Sequence, residues 1–210
     1  MNQLVAATKN KKKLSEIKDI LKGMNLKLLS LDAYKNVPRV AENGKTFQEN
    51  AIKKAVKLAR FTGQLCLGED SGLCVDVLNG APGIYSARFS GRPACRQGRD
   101  KSDIKNNFKL LRLLKDVPAV ERKAHYVCAV ALADKRGLIG VVEGNCSGLI
   151  AFEPKGSAGF GYDPLFYIPK YKKTFAQLGE KIKHRMSHRY YALKKAKRII
   201  EKYIEKQIRN

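Results

Sequence analysis

The sequence predicts an α/β protein built around one substantial hydrophobic core. Short apolar runs typical of strands alternate along the chain with segments in which apolar residues recur at helical spacing. The chain has 210 residues, 44% of them hydrophobic, which lies at the upper end of the usual size of one domain. We therefore expect a single domain over residues 1–210, large enough to have two lobes.

The predicted elements follow from apolar spacing together with capping and turn residues. Thr46 and Glu49 have the spacing of a capping box, which predicts a helix start, and Gly63 can end that helix in the left-handed conformation. In chain order, strands are predicted at 3–8, 26–31, 65–68, 73–78, 124–132, 138–143, 146–152 and 165–167, and helices at 14–21, 46–63, 102–115 and from 187 onward.

Three of these predictions concern particular faces and turns. The sequence Glu69-Asp70-Ser71-Gly72 separates two strands, and its composition predicts a turn. Residues 124–132 are apolar on both faces, which is typical of a central strand. The helix at 102–115 should bury one apolar side. That side consists of Ile104, Phe108, Leu111 and Leu114.

The strongest compositional signal is a formal net charge of +23 at pH 7. Such an excess favours a polyanionic partner, such as nucleic acid, an anionic membrane surface or a phosphorylated metabolite. The basic residues are spread along the chain, which is also typical of solvated, lysine-rich helix faces. Because no nucleic-acid-binding motif accompanies the charge, we expect no specific binding to nucleic acid.

Other features of the sequence concern the cellular compartment. No apolar run approaches the roughly 18 residues that span a bilayer, and the N-terminal apolar run is too short for a signal-peptide core. The five cysteines form no CxxC pair, and their odd number does not indicate a disulfide framework. We therefore expect reduced thiols, no membrane association and a cytoplasmic location.

The acidic sequence at 69–72 is the first candidate for chemistry. Adjacent carboxylates at the end of a strand are held in direction, while the following loop leaves room for the waters of a magnesium ion. Glu69 and Asp70 fit this description. The alternative is an ordinary turn in which Asp70 caps backbone N–H groups, and these residues alone leave both interpretations open.

Three further segments contain groups suited to a nucleotide. The loop from Thr8 to Lys13 would place hydroxyl, amide and ammonium donors at a helix N-terminus, where phosphate binds well, although no Walker A motif occurs. At residues 159–163, Phe160 lies between glycines and could stack on a nucleobase. Lys183 and Ser187-His188-Arg189 could donate to a carbonyl oxygen. Each segment alone also fits an ordinary loop, glycine turn or helix cap.

Six motifs occur in order along nearly the whole chain. They are Thr8-x-Asn10-x-x-Lys13-x-x-Glu16, Glu42-x-Gly44-x-Thr46-Phe47-x-Glu49-Asn50-Ala51, Asp70-Ser71-Gly72-Leu73, Gly80-Ala81-Pro82-Gly83-Ile84-Tyr85-Ser86-Ala87-Arg88, Phe160-Gly161-Tyr162-Asp163-Pro164 and Ser187-His188-Arg189. In this combination the chain resembles the inosine triphosphate pyrophosphatase family. The resemblance implies a two-lobed α/β fold with a long mixed sheet flanked by helices, a central cleft and a homodimer.

The resemblance also implies a reaction and a cofactor. Family members hydrolyse non-standard purine nucleoside triphosphates, such as ITP, dITP and XTP, to the monophosphate and pyrophosphate. This removes deaminated purines from the nucleotide pool. Mg²⁺ assists the attack of water at the α-phosphate. A pocket that donates to the 6-oxo group would select against adenine, whose amino group would leave those donors unpaired.

Residue roles carry over motif by motif from the resemblance. It assigns triphosphate binding to Thr8, Asn10 and Lys13, supported by Ser71 and Arg88. It assigns Mg²⁺ to Glu42 and Asp70, with Glu69 beside them, catalysis to Asp70, and base recognition to Phe160, Asp163, Lys183, His188 and Arg189. Further candidates for substrate binding in the same segments are Lys9, Lys11, Lys12, Gly161 and Tyr162. Arg189 is the first candidate donor to the 6-oxo group. Three features depart from the family pattern: Glu69 in place of a common Asp, Lys9 in place of a small residue, and the basic stretch 92–101.

Two other functions fit parts of the sequence. A related pyrophosphatase could act on modified pyrimidine triphosphates, although Phe160-Gly161-Tyr162-Asp163 and Ser187-His188-Arg189 favour purines. A basic nucleic-acid-binding module would make the charge of +23 the functional feature. In that case the carboxylates of Glu42, Glu69 and Asp70 would repel the nucleic-acid backbone.

Overall fold

The computed structural model describes residues 2–91 and 99–209. Within these ranges, seven strands and five α-helices largely alternate along the chain, which confirms the α/β class. The strands are β1 (Asn2–Ala6), β2 (Leu26–Ser30), β3 (Leu65–Val75), β4 (Lys123–Asp134), β5 (Gly137–Ile150), β6 (Phe166–Ile168) and β7 (Lys173–Thr174). The helices are α1 (Lys11–Ile20), α2 (Phe47–Thr62), α3 (Arg99–Leu113), α4 (Phe175–Lys183) and α5 (His188–Arg209).

The strands form a mixed sheet in the order β2-β1-β3-β4-β5-β6-β7. β1 pairs in parallel with both of its neighbours, so that Leu4 lies opposite Leu28 in β2 and opposite Leu65 in β3. β6 pairs antiparallel with both β5 and β7. The mixed sheet agrees with the family resemblance. The segment predicted as a central strand lies in β4, which has the middle position and is buried almost throughout.

The chain divides into two compact units, and three of the boundaries fall inside β3, β4 and β5. Among the described residues, unit 1 comprises 2–70, 128–144 and 188–209, and unit 2 comprises 71–91, 99–127 and 145–187. Unit 1 therefore contains α1, α2 and α5. Unit 2 contains α3 and α4.

In unit 1, strand β3 packs against different helices on its two faces. Leu65 and Leu67 belong to a core cluster with residues of α1 and α5, whereas Cys66 belongs to a cluster with residues of α2. This is the alternation expected along a strand. Glu69 and Asp70 continue it, so their carboxylates lie on opposite faces of the strand.

The prediction of a turn at Glu69-Asp70-Ser71-Gly72 is wrong. These residues lie inside β3, which runs without interruption from Leu65 to Val75 and has a neighbouring strand on each side. β3 continues beyond its pairing with β1, which covers Leu65, Cys66 and Leu67, and membership of the sheet overrides the local turn preference of serine and glycine. A strand rather than a loop therefore presents the two carboxylates.

The ends of α2 are as predicted, with one difference in the cap. The Thr46 hydroxyl oxygen accepts from the Glu49 N–H at 3.1 Å, and Gly63 ends the helix with a φ of 70°. The Glu49 carboxylate, however, accepts from the Lys45 N–H at 2.8 Å rather than from Thr46. The cap still defines where α2 begins, and so it sets the positions of the side chains that follow.

Unit 2 has a separate aromatic core. The ring of Phe166 lies with its centroid 4.7 Å from that of Tyr126 and 5.0 Å from that of Phe175. Phe175 is the first residue of α4, a helix that the sequence analysis did not predict. Thr174 and Gln177 form a complete capping box at its start, so the spacing of threonine and glutamine was the available signal.

The predicted buried side of α3 is partly wrong. Ile104 and Phe108 are 54% and 69% exposed. Leu110 is buried instead, together with the polar residues Asn106 and Asn107. Apolar spacing misplaced this side because the helix turns polar side chains inward, where they bind backbone groups of neighbouring segments.

The described residues bear on two expectations from composition, one about the cysteines and one about membrane-spanning segments. Cys66, Cys74, Cys128 and Cys146 are free thiols, while Cys95 and residues 92–98 of the basic stretch lie outside the described residues. None of the helices in the described part of the chain has the length and apolar character that crossing a bilayer requires.

Gly68 lets β3 approach α2 closely. A Cβ atom at this position would lie 2.2 Å from the Ala51 carbonyl oxygen and 2.6 Å from the Ala55 nitrogen. These are backbone atoms of α2, which cannot move aside as the end of a side chain can. The glycine therefore determines how near Asp70, two residues later, comes to the polar side chains of α2.

Gly68→Ala should lower the free energy of unfolding by about 3 kcal/mol, because the added methyl group overpacks the contact with α2. Urea denaturation measures this change. Gly140→Ala is the matched control in β5, since a Cβ there meets only the end of the Ile199 side chain, at 3.2 Å. Equal losses in the two variants would contradict the role assigned to Gly68.

Candidate active site

The first loop folds around its own side chains at the start of α1. Asn10 is the N-cap residue, and its side-chain oxygen accepts from the N–H groups of Lys12 at 3.1 Å and Lys13 at 3.4 Å. The Thr8 hydroxyl oxygen accepts from the Asn10 N–H at 3.1 Å. Because Asn10 binds these helix N–H groups, ammonium groups supply the attraction of this loop for anions. The exposed lysines of the loop are Lys9, Lys11 and Lys12.

Glu69 lies in a buried ion-pair network of unit 1. Its carboxylate accepts from Arg189 Nη2 at 2.7 Å and from Nε at 3.0 Å, and the Lys13 ammonium lies 3.1 Å from Oε1. Arg189 also donates to Glu16. The network joins β3 to the first turns of α1 and α5.

The pKa values in this network follow from its opposite charges. Burial by itself would raise the pKa of Glu69, but the Arg189 guanidinium and the Lys13 ammonium hold it well below its usual range. Burial would lower the pKa of Arg189, whereas Glu69 and Glu16 raise it well above its ordinary value. Glu69 and Arg189 are therefore both charged at neutral pH.

Lys54 of α2 gathers oxygen atoms on the other face of β3. Its ammonium donates to Asp70 Oδ1 at 2.9 Å and to the Glu69 carbonyl oxygen at 3.0 Å, and it lies 3.0 Å from Glu42 Oε2. Burial would lower the pKa of Lys54, but the carboxylates of Asp70 and Glu42 raise it above its ordinary value. Asp70 and Glu42, which are 28 positions apart in the sequence, are thus brought to one cation.

Asn50, one helical turn before Lys54 in α2, orients the Asp70 carboxylate. Its Nδ2 donates to Asp70 Oδ2 at 3.1 Å, and its Oδ1 accepts from the Gly44 N–H at 2.8 Å. One amide therefore ties Asp70 to the loop that contains Glu42.

The positions of Asn50 and Lys54 beside Asp70 were not predicted from the sequence. The two residues are four positions apart in α2, a spacing that places them on the same side of a helix. Both are buried, together with the apolar side chains of Ala51 and Ala55. The available signal was a lysine on the apolar side of a helix, because a buried lysine needs carboxylate or other oxygen partners.

The groups around Lys54 fit a hard divalent cation in donor type and charge. Magnesium takes oxygen ligands, and the oxygens of Glu42 and Asp70 are both directed at one cation position. These two carboxylates and one ammonium sum to a negative charge. Within residues 2–91 and 99–209, no cluster of three or more His, Cys, Asp and Glu residues could hold a metal. The structure does not bring the Glu69 carboxylate to this position, because it lies on the opposite face of β3.

Phe160, Asp163 and Lys183 form a second polar and aromatic group, within unit 2. The Lys183 ammonium lies 2.6 Å from Asp163 Oδ2 and 4.6 Å from the centroid of the Phe160 ring. Asp163 Oδ2 also accepts from the Phe160 N–H at 2.8 Å. The side chains of Asp163 and Lys183 are only 2% and 3% exposed. Residues predicted from two separate segments of the sequence are therefore in contact.

The other predicted residues lie in varied surroundings. The Tyr162 hydroxyl is buried and donates to the Ser86 carbonyl oxygen at 2.9 Å. The guanidinium of Arg88, an exposed residue, lies 5.2 Å from the centroid of the Tyr85 ring. Ser71 lies partly buried in β3, and His188 begins α5 as a buried residue.

Known proteins resemble this chain over nearly its whole length. The chain matches the model of the Ham1 family over residues 4–199. A dITP/XTP pyrophosphatase from Desulforamulus reducens is 48% identical over 207 residues, which cover 98% of this chain and 100% of that protein. A dITP/XTP pyrophosphatase from Geobacter sulfurreducens is 47% identical over 193 residues, which cover 92% and 94%. The solved structure of a HAM1 protein from Coxiella burnetii has a TM-score of 0.85 at 35% identity, covering 96% of this chain and 100% of that one.

Fold and site together define an α/β protein with a mixed sheet, a lysine-rich loop and a pair of carboxylates directed at the Lys54 ammonium. The chain belongs to the Ham1 family. This membership confirms the resemblance that the six motifs indicated.

Glu69→Gln should lower the free energy of unfolding at neutral pH by about 3 kcal/mol, because it leaves the buried Arg189 without its charged partner. The low pKa of Glu69 also predicts a pH dependence. This contribution is fully present above the unfolded value near 4.5 and is lost as pH falls through the lower folded pKa. Urea denaturation as a function of pH should therefore show a smaller acid loss in Glu69→Gln than in the wild type.

Glu153→Gln is the control for this prediction. Glu153 forms a salt bridge of 3.1 Å with Lys155, but the two side chains are 69% and 54% exposed. Exposed pairs contribute little, so the control should change stability by less than about 0.5 kcal/mol. If both variants had equally small effects, Glu69 would not have the structural role assigned to it.

Proposed function

We propose that this chain hydrolyses non-standard purine nucleoside triphosphates, namely ITP, dITP and XTP, to the nucleoside monophosphate and pyrophosphate. Relatives 48% and 47% identical over nearly their full lengths are dITP/XTP pyrophosphatases. The observation that carries the proposal is the arrangement around Lys54. There, two carboxylates are directed at one cation position, in the same unit as the lysine-rich loop.

In unit 1, the loop before α1 would bind the triphosphate. Its exposed ammonium groups attract a polyphosphate, and the Thr8 hydroxyl and Asn10 amide are held in place by the loop itself. Lys13 is positioned by Glu69, so its ammonium is oriented before substrate arrives. Ser71 and Arg88 of unit 2 are the proposed supports at the phosphate end.

Glu42 and Asp70 would hold the magnesium ion. When bound, such an ion supplies positive charge beside the phosphate oxygens and lowers the pKa of a coordinated water. Asp70 is held in one orientation by Asn50 and Lys54, and it is our candidate to accept the proton of the water that attacks the α-phosphate. We assign the Glu69 carboxylate to the ion pair with Lys13 and Arg189.

In unit 2, Phe160 would stack on the purine and Lys183 would donate to the 6-oxo oxygen. Lys183 replaces Arg189 as the first candidate for this donor, because its ammonium lies 4.6 Å from the centroid of the Phe160 ring, whereas the Arg189 guanidinium binds two carboxylates, those of Glu69 and Glu16. Asp163 holds the Lys183 ammonium beside the ring. Adenine has an amino group in place of the 6-oxo oxygen, so it would leave the Lys183 donor unpaired. His188 is a further proposed base contact.

We further propose that the enzyme is a homodimer and is located in the cytoplasm. The homodimer is what the resemblance of the six motifs implies. The resulting activity would remove deaminated purine nucleotides from the pool used for nucleic-acid synthesis.

Asp70→Asn should reduce kcat for ITP in the presence of Mg²⁺ by at least about 100-fold, because asparagine neither balances a cation nor accepts a proton. A pyrophosphate-release assay measures this, with ITP, dITP and XTP compared with ATP, GTP and a modified pyrimidine triphosphate. Asp76→Asn is the control: this exposed aspartate pairs with His125 at 3.3 Å, and the variant should keep full activity. Turnover of ATP as fast as ITP by the wild type would contradict the specificity.

Glu42→Gln should raise the Mg²⁺ concentration for half-maximal activity by about tenfold, because it removes one of two carboxylates at the cation position. A Mg²⁺ titration of pyrophosphate release measures the change. Glu69→Gln, studied below its unfolding temperature, should keep the wild-type Mg²⁺ requirement. The reverse ranking of the two variants would assign the metal to Glu69 and not to Glu42.

A further inference from the structure

The backbone of Gly161, next to Phe160, is held at both its N–H and its carbonyl group by helix α3. The Asp103 carboxylate accepts from the Gly161 N–H at 2.8 Å, and Asn107 Nδ2 donates to the Gly161 carbonyl oxygen at 3.2 Å. Asp103 and Asn107 are four positions apart, so both reach the loop from the same side of the helix. The Phe160 N–H, for its part, is bound by Asp163.

The orientation of α3 shows that these bonds are favoured over apolar burial. Asn106 and Asn107 are 2% and 8% exposed, whereas Ile104 and Phe108 are 54% and 69% exposed. Burial of an amide costs free energy unless the amide is hydrogen-bonded. The bonds that its polar side chains make to backbone groups therefore explain which side of α3 is buried.

The same side of α3 holds a second segment that contains a family motif. Asn106 Nδ2 donates to the Ser86 carbonyl oxygen at 3.3 Å, and its Oδ1 accepts from the Ser90 N–H at 2.8 Å. The Lys109 ammonium donates to the Phe89 carbonyl oxygen at 2.6 Å. One helix thus binds the backbone of both the segment around Arg88 and the segment around Phe160.

The loop that carries Phe160 needs such support because of its glycines. Gly159 and Gly161 have φ angles of +82° and +66°, and glycine loses more conformational freedom on ordering than any other residue. Without its bonds to α3, the backbone at Gly161 could rotate and move the Phe160 ring with it. The bond to the Gly161 N–H holds the peptide group shared with Phe160, and the bond to the Gly161 carbonyl holds the next one, so together they oppose this rotation.

We propose that Asp103 and Asn107 are positioning residues that set the affinity for the purine base through Phe160. The inference rests on the proposed function, in which the Phe160 ring stacks on the base. A ring held in place before substrate arrives reduces the conformational entropy lost on binding. The two residues therefore act on substrate affinity, while the chemistry at the α-phosphate depends on unit 1.

The test compares kcat and KM for ITP, in the presence of Mg²⁺, in variants that each remove one bond to Gly161. Asp103→Leu and Asn107→Leu should each raise KM about tenfold, the effect of losing one hydrogen bond of ordinary strength, with little change in kcat. Asp103→Asn should keep KM near the wild-type value, because its side-chain oxygen still accepts from the Gly161 N–H. Lys105→Leu changes an exposed residue of the same helix and should alter neither constant.

A double-mutant cycle with Phe160→Ala shows whether the two residues act through the ring. In that background, Asp103→Leu should raise KM by less than about twofold. A tenfold rise in KM in the Phe160→Ala background would overturn the inference. A fall in kcat that only matches a loss of folded protein, as measured by thermal unfolding, would also overturn it.

Two further outcomes separate this inference from the proposed function. If Phe160→Ala raises KM but both leucine variants have the wild-type KM, the positioning role is wrong and the stacking role of Phe160 stands. If Phe160→Ala itself has the wild-type KM, the stacking role is wrong and the inference falls with it.

Discussion

Strand β3 carries two adjacent carboxylates to opposite faces, and the rest of unit 1 is arranged around this alternation. On one face, Glu69 is buried, so it needs charged partners, because an unpaired buried charge costs several kcal/mol. Helices α1 and α5 supply them as Lys13 and Arg189. On the other face, Asp70 meets Asn50 and Lys54, two polar side chains on the buried side of α2. The alternation of a strand thus separates a carboxylate that stabilises the fold from the one proposed for catalysis.

The two units hold their candidate site groups by different means. In unit 1, ion pairs orient Lys13 and Asp70, and together with the pair between Glu69 and Arg189 they join β3 to three helices. In unit 2, α3 orients the segments around Arg88 and Phe160 mainly through hydrogen bonds to their backbone. Ion pairs suit a region that would bind phosphates and a cation, because its charges must be present before the substrate. Backbone bonds suit an aromatic platform, whose position matters more than its charge.

The sequence predicted element types better than it predicted the directions of side chains. The start and end of α2 follow from local capping chemistry at Thr46 and Gly63, so they could be predicted. The predicted turn at 69–72 failed because sheet pairing overrides local preference. The prediction of the buried side of α3 was partly wrong for a related reason. Asn106 and Asn107 form hydrogen bonds with segments that are distant in the sequence.

The sequence by itself determined the α/β class, the caps of α2, the order of the six motifs and, through them, the family. These features depend on local spacing or on residue identity, which a chain displays without folding. Only the tertiary structure decided that Glu69 and Asp70 face opposite ways, that Lys54 joins Asp70 to Glu42, and that Arg189 is committed to an ion pair. Each of these results requires residues far apart in the chain to meet. The physical reason is that the partners of a buried charge are set by packing, and packing is not a local property.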